Sequence, residues 1–160
     1  ARKIILVTEP GNEKESVVRL ARVGFDKISG YLQGGYEAWK NAGEETDMII
    51  DIEPDELLMD LPFDDNLVVL DVRKPSEFAE GHIAEAVNMP LNDMTDPGVM
   101  SNLVEEDNLY VHCAGGYRSV IAASLLKRQG YNNLRNVLGG WNKIKELEKI
   151  DIVKDKTVLN

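Results

Sequence analysis

The chain has 160 residues, with 28 acidic against 18 basic side chains and a formal net charge of -10. This balance excludes the basic face that nucleic-acid phosphates and anionic membranes require. Apolar residues make up 43% and charged residues 29%, the composition of a domain that buries a real core.

Residues 4–7 (Ile-Ile-Leu-Val) form an apolar run that predicts a buried strand. A turn at Glu9-Pro10-Gly11 leads to a helix over 13–23, with Val17, Leu20 and Ala21 on one face and Gly24 as its stop. A short strand over 28–32, a Gly34-Gly35 breaker and a short helix over 36–41 follow, and 44–47 is a polar hinge. The second part opens with a strand at 48–52 and a helix start at Glu53-Pro54, where proline and acids suit the first turn. Residues 67–72 form the clearest buried strand. A helix at 75–80, strands at 86–89 and 108–112, a helix at 119–128, a strand at 134–138 and a helix at 141–147 complete the pattern. The stretch from Glu148 is weakly patterned. Strands alternating with helices predict an α/β fold, a parallel sheet with helices on both faces, whose ligands bind beyond the carboxyl ends of the strands.

The longest purely apolar runs are four residues, far from the roughly 20 of a membrane span, and no signal peptide is visible. Cys113 is the single cysteine, so no internal disulfide forms, and a reducing cytoplasm is the expected compartment. With two histidines, no metal site is expected.

The first 43 residues echo the last third of the chain. Arg22-Val23-Gly24-Phe25-Asp26 matches Arg128-Gln129-Gly130-Tyr131-Asn132, and Gln33-Gly34-Gly35-Tyr36 matches Leu138-Gly139-Gly140-Trp141. The first copy lacks a counterpart to residues 48–107, as if it were the rear half of a domain. Matching the motifs sets Val7-Thr8-Glu9 on Val111-His112-Cys113 and puts Glu9 at the cysteine position. The strand at 4–7 is apolar on both faces and needs cover. The second domain, a second copy of the chain or the missing front half could supply it. With no front half in this sequence, the second domain or a second copy, and hence a homo-oligomer, is expected.

The sharpest chemical feature is Cys113-Ala114-Gly115-Gly116-Tyr117-Arg118-Ser119, between a strand and a helix. Two glycines let successive N–H groups turn inward as an anion nest, and the helix adds the positive end of its dipole. A thiol at the bottom of such a nest is expected to ionise easily and to need no adjacent base. Arg118 closes the loop with a fixed charge suited to oxyanions. His112 is expected to point away, because side chains alternate along a strand. Asp71, at the end of its strand, is a candidate organiser of the loop. Arg73 and Glu77, four residues apart, are expected to form a local ion pair. His82, Trp39 and Trp141 read as packing residues, and 105–107 as a solvated acidic loop.

Four motifs in order resemble the rhodanese sulfurtransferases: Asp71-Val72-Arg73-Lys74-Pro75-Ser76-Glu77-Phe78, Gly81-His82-Ile83-Ala84-Glu85-Ala86-Val87-Asn88-Met89-Pro90, the cysteine loop, and Gly139-Gly140-Trp141. The resemblance implies a five-stranded parallel sheet in a domain over 47–150, followed by a tail at 151–160. It implies that Cys113 cycles through a persulfide, moving sulfane sulfur from thiosulfate or a low-molecular-weight persulfide to a thiol or other thiophilic acceptor. Ala114, Gly115, Gly116, Tyr117 and Arg118 would cradle the persulfide and the donor, with no cofactor. Residues 1–46 resemble a partial, degenerate repeat of the same family. Such repeats follow metallo-β-lactamase-type domains in bacterial persulfide dioxygenase-like proteins, so an N-terminal domain of that kind is the expected partner. No metal ligand is assigned to this chain. Two other functions compete. One is a non-catalytic interaction module within such a fusion. The other is a phosphatase or arsenate reductase, which needs five residues between cysteine and arginine where this loop has four.

Overall fold

The computed structural model describes residues 3–155, so Ala1, Arg2 and residues 156–160 of the expected tail lie outside the described residues. The chain divides into two compact units, Ala1–Met48 and Ile49–Asn160.

The first unit runs β1 (Ile4–Leu6), α1 (Glu13–Arg22), β2 (Ile28–Tyr31) and α2 (Gly35–Asn41), with β1 and β2 paired in parallel. Acids open α1 and arginines close it, which suits the helix dipole. The apolar face expected on α1 is not buried: none of its residues is. Leu6 is buried, whereas Ile5 is 71% and Val7 58% exposed. Two strands and two short helices offer too little surface to cover both faces of β1.

The second unit contains β3 (Ile50–Ile52), α3 (Pro54–Asp60), β4 (Leu67–Asp71), α4 (Pro75–Ala79), β5 (His82–Ile83), β6 (Val87–Asn88), α5 (Pro97–Met100), β7 (Asn108–His112), α6 (Tyr117–Arg128), β8 (Leu134–Val137), α7 (Trp141–Ile144) and β9 (Ile152–Val153). Its central sheet has five strands in the order β3-β8-β7-β4-β6, all parallel, as expected. Alternation along β7 splits the core in two. Leu109, Val111 and Cys113 pack with Leu70, Ala122 and Leu126 on one face. Tyr110 packs with Leu57, Val137 and Ile144 on the other. Each fully buried aliphatic contributes about 1.5–3 kcal/mol.

Three short elements, α5, β5 and β9, were not expected. β9 lies in the weakly patterned stretch and pairs antiparallel with β5, a contact between distant segments that local periodicity does not encode. The helix α6 starts at Tyr117, two residues before the expected position, because Gly116 with φ 112° turns the loop directly into it. No helix among the described residues is long and apolar enough to cross a membrane.

The register of the two units corrects the alignment of their loops. Leu6 pairs with Tyr31 in the first unit, and Val111 with Asn136 in the second. A Cβ on Gly35 would overlap the Thr8 carbonyl, and one on Gly140 would overlap the Cys113 carbonyl. Both observations put Thr8, not Glu9, opposite Cys113. Four residues separate Thr8 from the start of α1 and three separate Cys113 from the start of α6, and this one-residue difference shifts the motif alignment along the strand.

Gly140 is the tightest joint of the second unit. Its φ of 54° and ψ of -147° lie in a region open essentially to glycine. There the Trp141 N–H reaches the Cys113 carbonyl at 2.7 Å and the Asn142 N–H reaches that of Ala114 at 3.0 Å. Gly140→Ala is expected to cost more than about 3 kcal/mol, since strain and overlap add. Gly130→Ala, at φ 100° with nothing within 4 Å of its new Cβ, is expected to cost only about 1–2 kcal/mol. Urea unfolding of the two variants checks the difference.

Candidate active site

β7 ends at His112 and α6 begins at Tyr117, so residues 113–116 form the turn at the carboxyl end of a central strand. Cys113 is 1% exposed and points into the core face that α6 covers. Its Sγ accepts the Gly116 N–H at 3.1 Å. The first N–H groups of a helix have no partner within it, and here that of Ser119 is turned onto the sulfur. Burial pushes the Cys113 thiol up, but the N–H groups of Ser119, Gly116 and Gly115 together with the Ser119 hydroxyl outweigh it. The thiol therefore sits below its usual value. The same Ser119 hydroxyl lies 2.9 Å from the Gly116 carbonyl, so its single proton has two acceptors to choose between and turns to the sulfur when the thiol ionises.

Arg118 leaves the loop and grips Glu77 with two parallel hydrogen bonds, Nη1 to Oε2 at 2.7 Å and Nη2 to Oε1 at 2.8 Å. The Arg118 hydrogen bond is the main reason Glu77 falls to about 2. The pair is about a third exposed. The expected ion pair between Arg73 and Glu77 is absent. Arg73 precedes Lys74, the residue that caps α4, so it lies outside the helical spacing that brings positions four apart together.

Arg73 instead turns inward, 2% exposed, and donates to Asp71 through Nε at 2.9 Å and Nη2 at 2.5 Å. Its Nη2 also reaches the Gly81 carbonyl at 2.7 Å, and the guanidinium lies 4.5 Å from the Trp141 ring centroid. The carboxylate of Asp71 is thus taken up by Arg73, and among the described residues it makes no hydrogen bond to the cysteine loop.

His112 is fully buried on the opposite side from Cys113, 6.4 Å from Trp141. Burial holds its pKa below the usual histidine value, so it stays neutral, and Nε2 lies 3.8 Å from Asp71. His82 stacks on Phe78 at 3.6 Å and bonds the Phe78 carbonyl, a packing role.

The loop brings together Cys113, Ala114, Gly115, Gly116, Tyr117 and Arg118, with Tyr117 90% exposed at the rim. Two contributors were not foreseen. Ser119 is legible only once the helix start is known to be Tyr117, which places its free N–H over the sulfur. Glu77 lies 41 residues from Arg118, and no local pattern joins them.

Residues 53–147 match the rhodanese-like domain family. A protein of Schizosaccharomyces pombe provisionally named a mitochondrial thiosulfate sulfurtransferase is 34% identical over 104 residues, 58% of this chain and 70% of its own length. A sulfurtransferase of Allochromatium vinosum is 30% identical over 93 residues, covering 58% of this chain and 85% of that protein. Among solved structures, a rhodanese-related protein from Thermoplasma volcanium is 29% identical with a TM-score of 0.57, covering 65% of this chain and 97% of that one. With its parallel sheet, cysteine turn and matched segment, the chain belongs to the rhodanese-like domain family.

Proposed function

We propose that the chain is a sulfurtransferase that carries sulfane sulfur on Cys113, from thiosulfate or a low-molecular-weight persulfide to a thiophilic acceptor. The observation that supports this reading most is the buried Cys113 sulfur with N–H groups of the α6 start turned onto it and its pKa lowered. In the first step the thiolate attacks the outer sulfur of thiosulfate. The sulfur–sulfur bond of the donor breaks, its electron pair leaves as sulfite, and one proton from water completes the Cys113 persulfide. In the second step an acceptor such as cyanide attacks the outer sulfur. The pair of the Sγ–S bond returns to Sγ, thiocyanate leaves and the proton is released, so no oxidant is consumed. Ala114, Gly115, Gly116 and Tyr117 supply the backbone around the persulfide, while Arg118, paired with Glu77, also interacts with Cys113 and lends its charge to the bound sulfur. Asp71 acts at a distance, by holding Arg73 beneath Trp141.

We further infer that residues 1–46 are a partial repeat without chemistry, since Thr8 cannot form a persulfide, and that the whole protein carries a metallo-β-lactamase-type domain. The exposed Ile5 and Val7 and the recurring glycine contact support the repeat. A reading frame upstream that encodes a metal-binding hydrolase-like domain is the expected finding, and one that encodes an unrelated domain refutes the fusion.

With thiosulfate, intact mass is expected to rise by one sulfur atom in the native protein, reversibly with dithiothreitol. Cys113→Ser is expected to gain none and to lose sulfur transfer to cyanide while keeping its thermal stability within about 1 kcal/mol. Wild-type turnover in this variant would sink the mechanism.

The pH dependence follows from the lowered thiol: the reactive thiolate persists to lower pH than for a free cysteine. Ser119→Ala removes one stabilising group from the anion, so the midpoint of iodoacetamide alkylation is expected to move up by about one unit, equivalent to about 1.4 kcal/mol. An unmoved midpoint would deny Ser119 this role.

A further inference from the structure

Beside the cysteine turn lies a groove of about 500 Å³, a volume typical of sites for small organic molecules. Its walls are apolar: Val120 and Ile121 on the outer face of α6 and Leu138 after β8, which are 44%, 53% and 37% exposed. Gly115 and Gly116 of the cysteine loop form one end. Asn136, 2% exposed, Asp51 of the edge strand β3 and Tyr117 supply its polar side chains. The Asn136 Nδ2 donates to Asp51 Oδ1 at 2.7 Å, while the Asn136 Oδ1 has no hydrogen-bond partner.

Asp51 and the free Asn136 oxygen ask for a donor, while the Tyr117 hydroxyl can give or accept a hydrogen bond. Asp51 is a carboxylate, and among the described residues that line the groove it alone carries charge. The free oxygen of Asn136 accepts as well. Thiosulfate fits this surface poorly. It has no apolar body to lay against Val120, Ile121 and Leu138, and Asp51 repels it. Arg118, the permanent cation of the loop, is held by Glu77 and faces Cys113, so its charge serves the loop and not the groove wall.

We propose that this groove is the subsite for the carrier of an organic thiol substrate, one with an apolar body and an ammonium or amide N–H donor, such as a short cysteinyl peptide. The proposal rests on the sulfur-transfer reading and names the class of acceptor that reading leaves open. The apolar body covers Val120, Ile121 and Leu138, the cationic or N–H end meets Asp51, and the thiol reaches the loop over Gly115 and Gly116. The acceptor thiolate attacks the outer sulfur of the Cys113 persulfide. A new sulfur–sulfur bond forms on the acceptor and the Sγ–S bond breaks. Its electron pair returns to Sγ as thiolate, and the proton of the outer sulfur stays on the product persulfide.

The test loads the native chain, Asp51→Asn and Ile121→Ser with thiosulfate. It then measures sulfur transfer to cyanide, cysteamine, 3-mercaptopropionate and leucyl-cysteine amide. Each thiol rate is divided by the cyanide rate of the same protein, so a partly folded variant does not mimic the effect. Asp51→Asn is expected to lower the ratio for cysteamine and for leucyl-cysteine amide by about fivefold and to spare the anionic 3-mercaptopropionate. Ile121→Ser is expected to lower only that of leucyl-cysteine amide, by about fivefold. Ratios that stay unchanged, or that fall equally for all three thiols, overturn the groove assignment while leaving sulfur transfer to cyanide standing. A native protein that transfers no sulfur to cyanide overturns the sulfurtransferase reading, and the groove assignment with it.

Discussion

A sulfur atom withdrawn from water can hold a negative charge only if other dipoles replace the water. Cys113 is 1% exposed, and nearly everything near it serves that replacement. β7 delivers the residue into the core, and the glycines bend the chain so that N–H groups turn back onto the sulfur. The first turn of α6 contributes donors that a helix cannot use internally. The helix α7 secures the turn from below by bonding the carbonyls of Cys113 and Ala114. A neighbouring histidine adds nothing to this: His112 is aimed at Trp141, on the other face of the sheet.

Around this anion site the fixed charges are sorted into two pairs with different physical characters. Arg73 and Asp71 are buried together, and their geometry is fastened further by the Gly81 carbonyl and the Trp141 ring. Loss of either partner would strand an uncompensated charge in the core. Arg118 and Glu77 meet at the surface, where solvent weakens their attraction and their main effect is geometric. The buried pair braces the platform beneath the loop, and the exposed pair fixes the loop's far end.

The central sheet and the cysteine turn were legible in the sequence because their signals are local. Apolar runs mark the strands, and Gly115-Gly116 beside a lone cysteine marks the nest. The charge pairing was not legible. Spacing of four suggested that Arg73 would face Glu77, but the helix begins one residue after Lys74, so the spacing carried no helical meaning. Glu77 and Arg118 are joined only through the fold. The β5–β9 ladder escaped for the same reason, since two-residue strands have no periodicity of their own. The offset between Glu9 and Thr8 shows a different limit: strand register decides which residue occupies the turn, and composition on either side is blind to a one-residue insertion.

The contact of Gly35 with the Thr8 carbonyl has the geometry of Gly140 with the Cys113 carbonyl, yet no thiol stands at the first position. The glycine pair followed by an aromatic residue is therefore a device of chain packing, needed wherever a helix is set this closely under a strand end. It carries no information about reactivity. A search keyed to that signature would gather active and silent copies alike, and a search keyed to the cysteine turn would separate them. Architecture and reactivity are written in different residues of the same short unit, so either can be lost without the other.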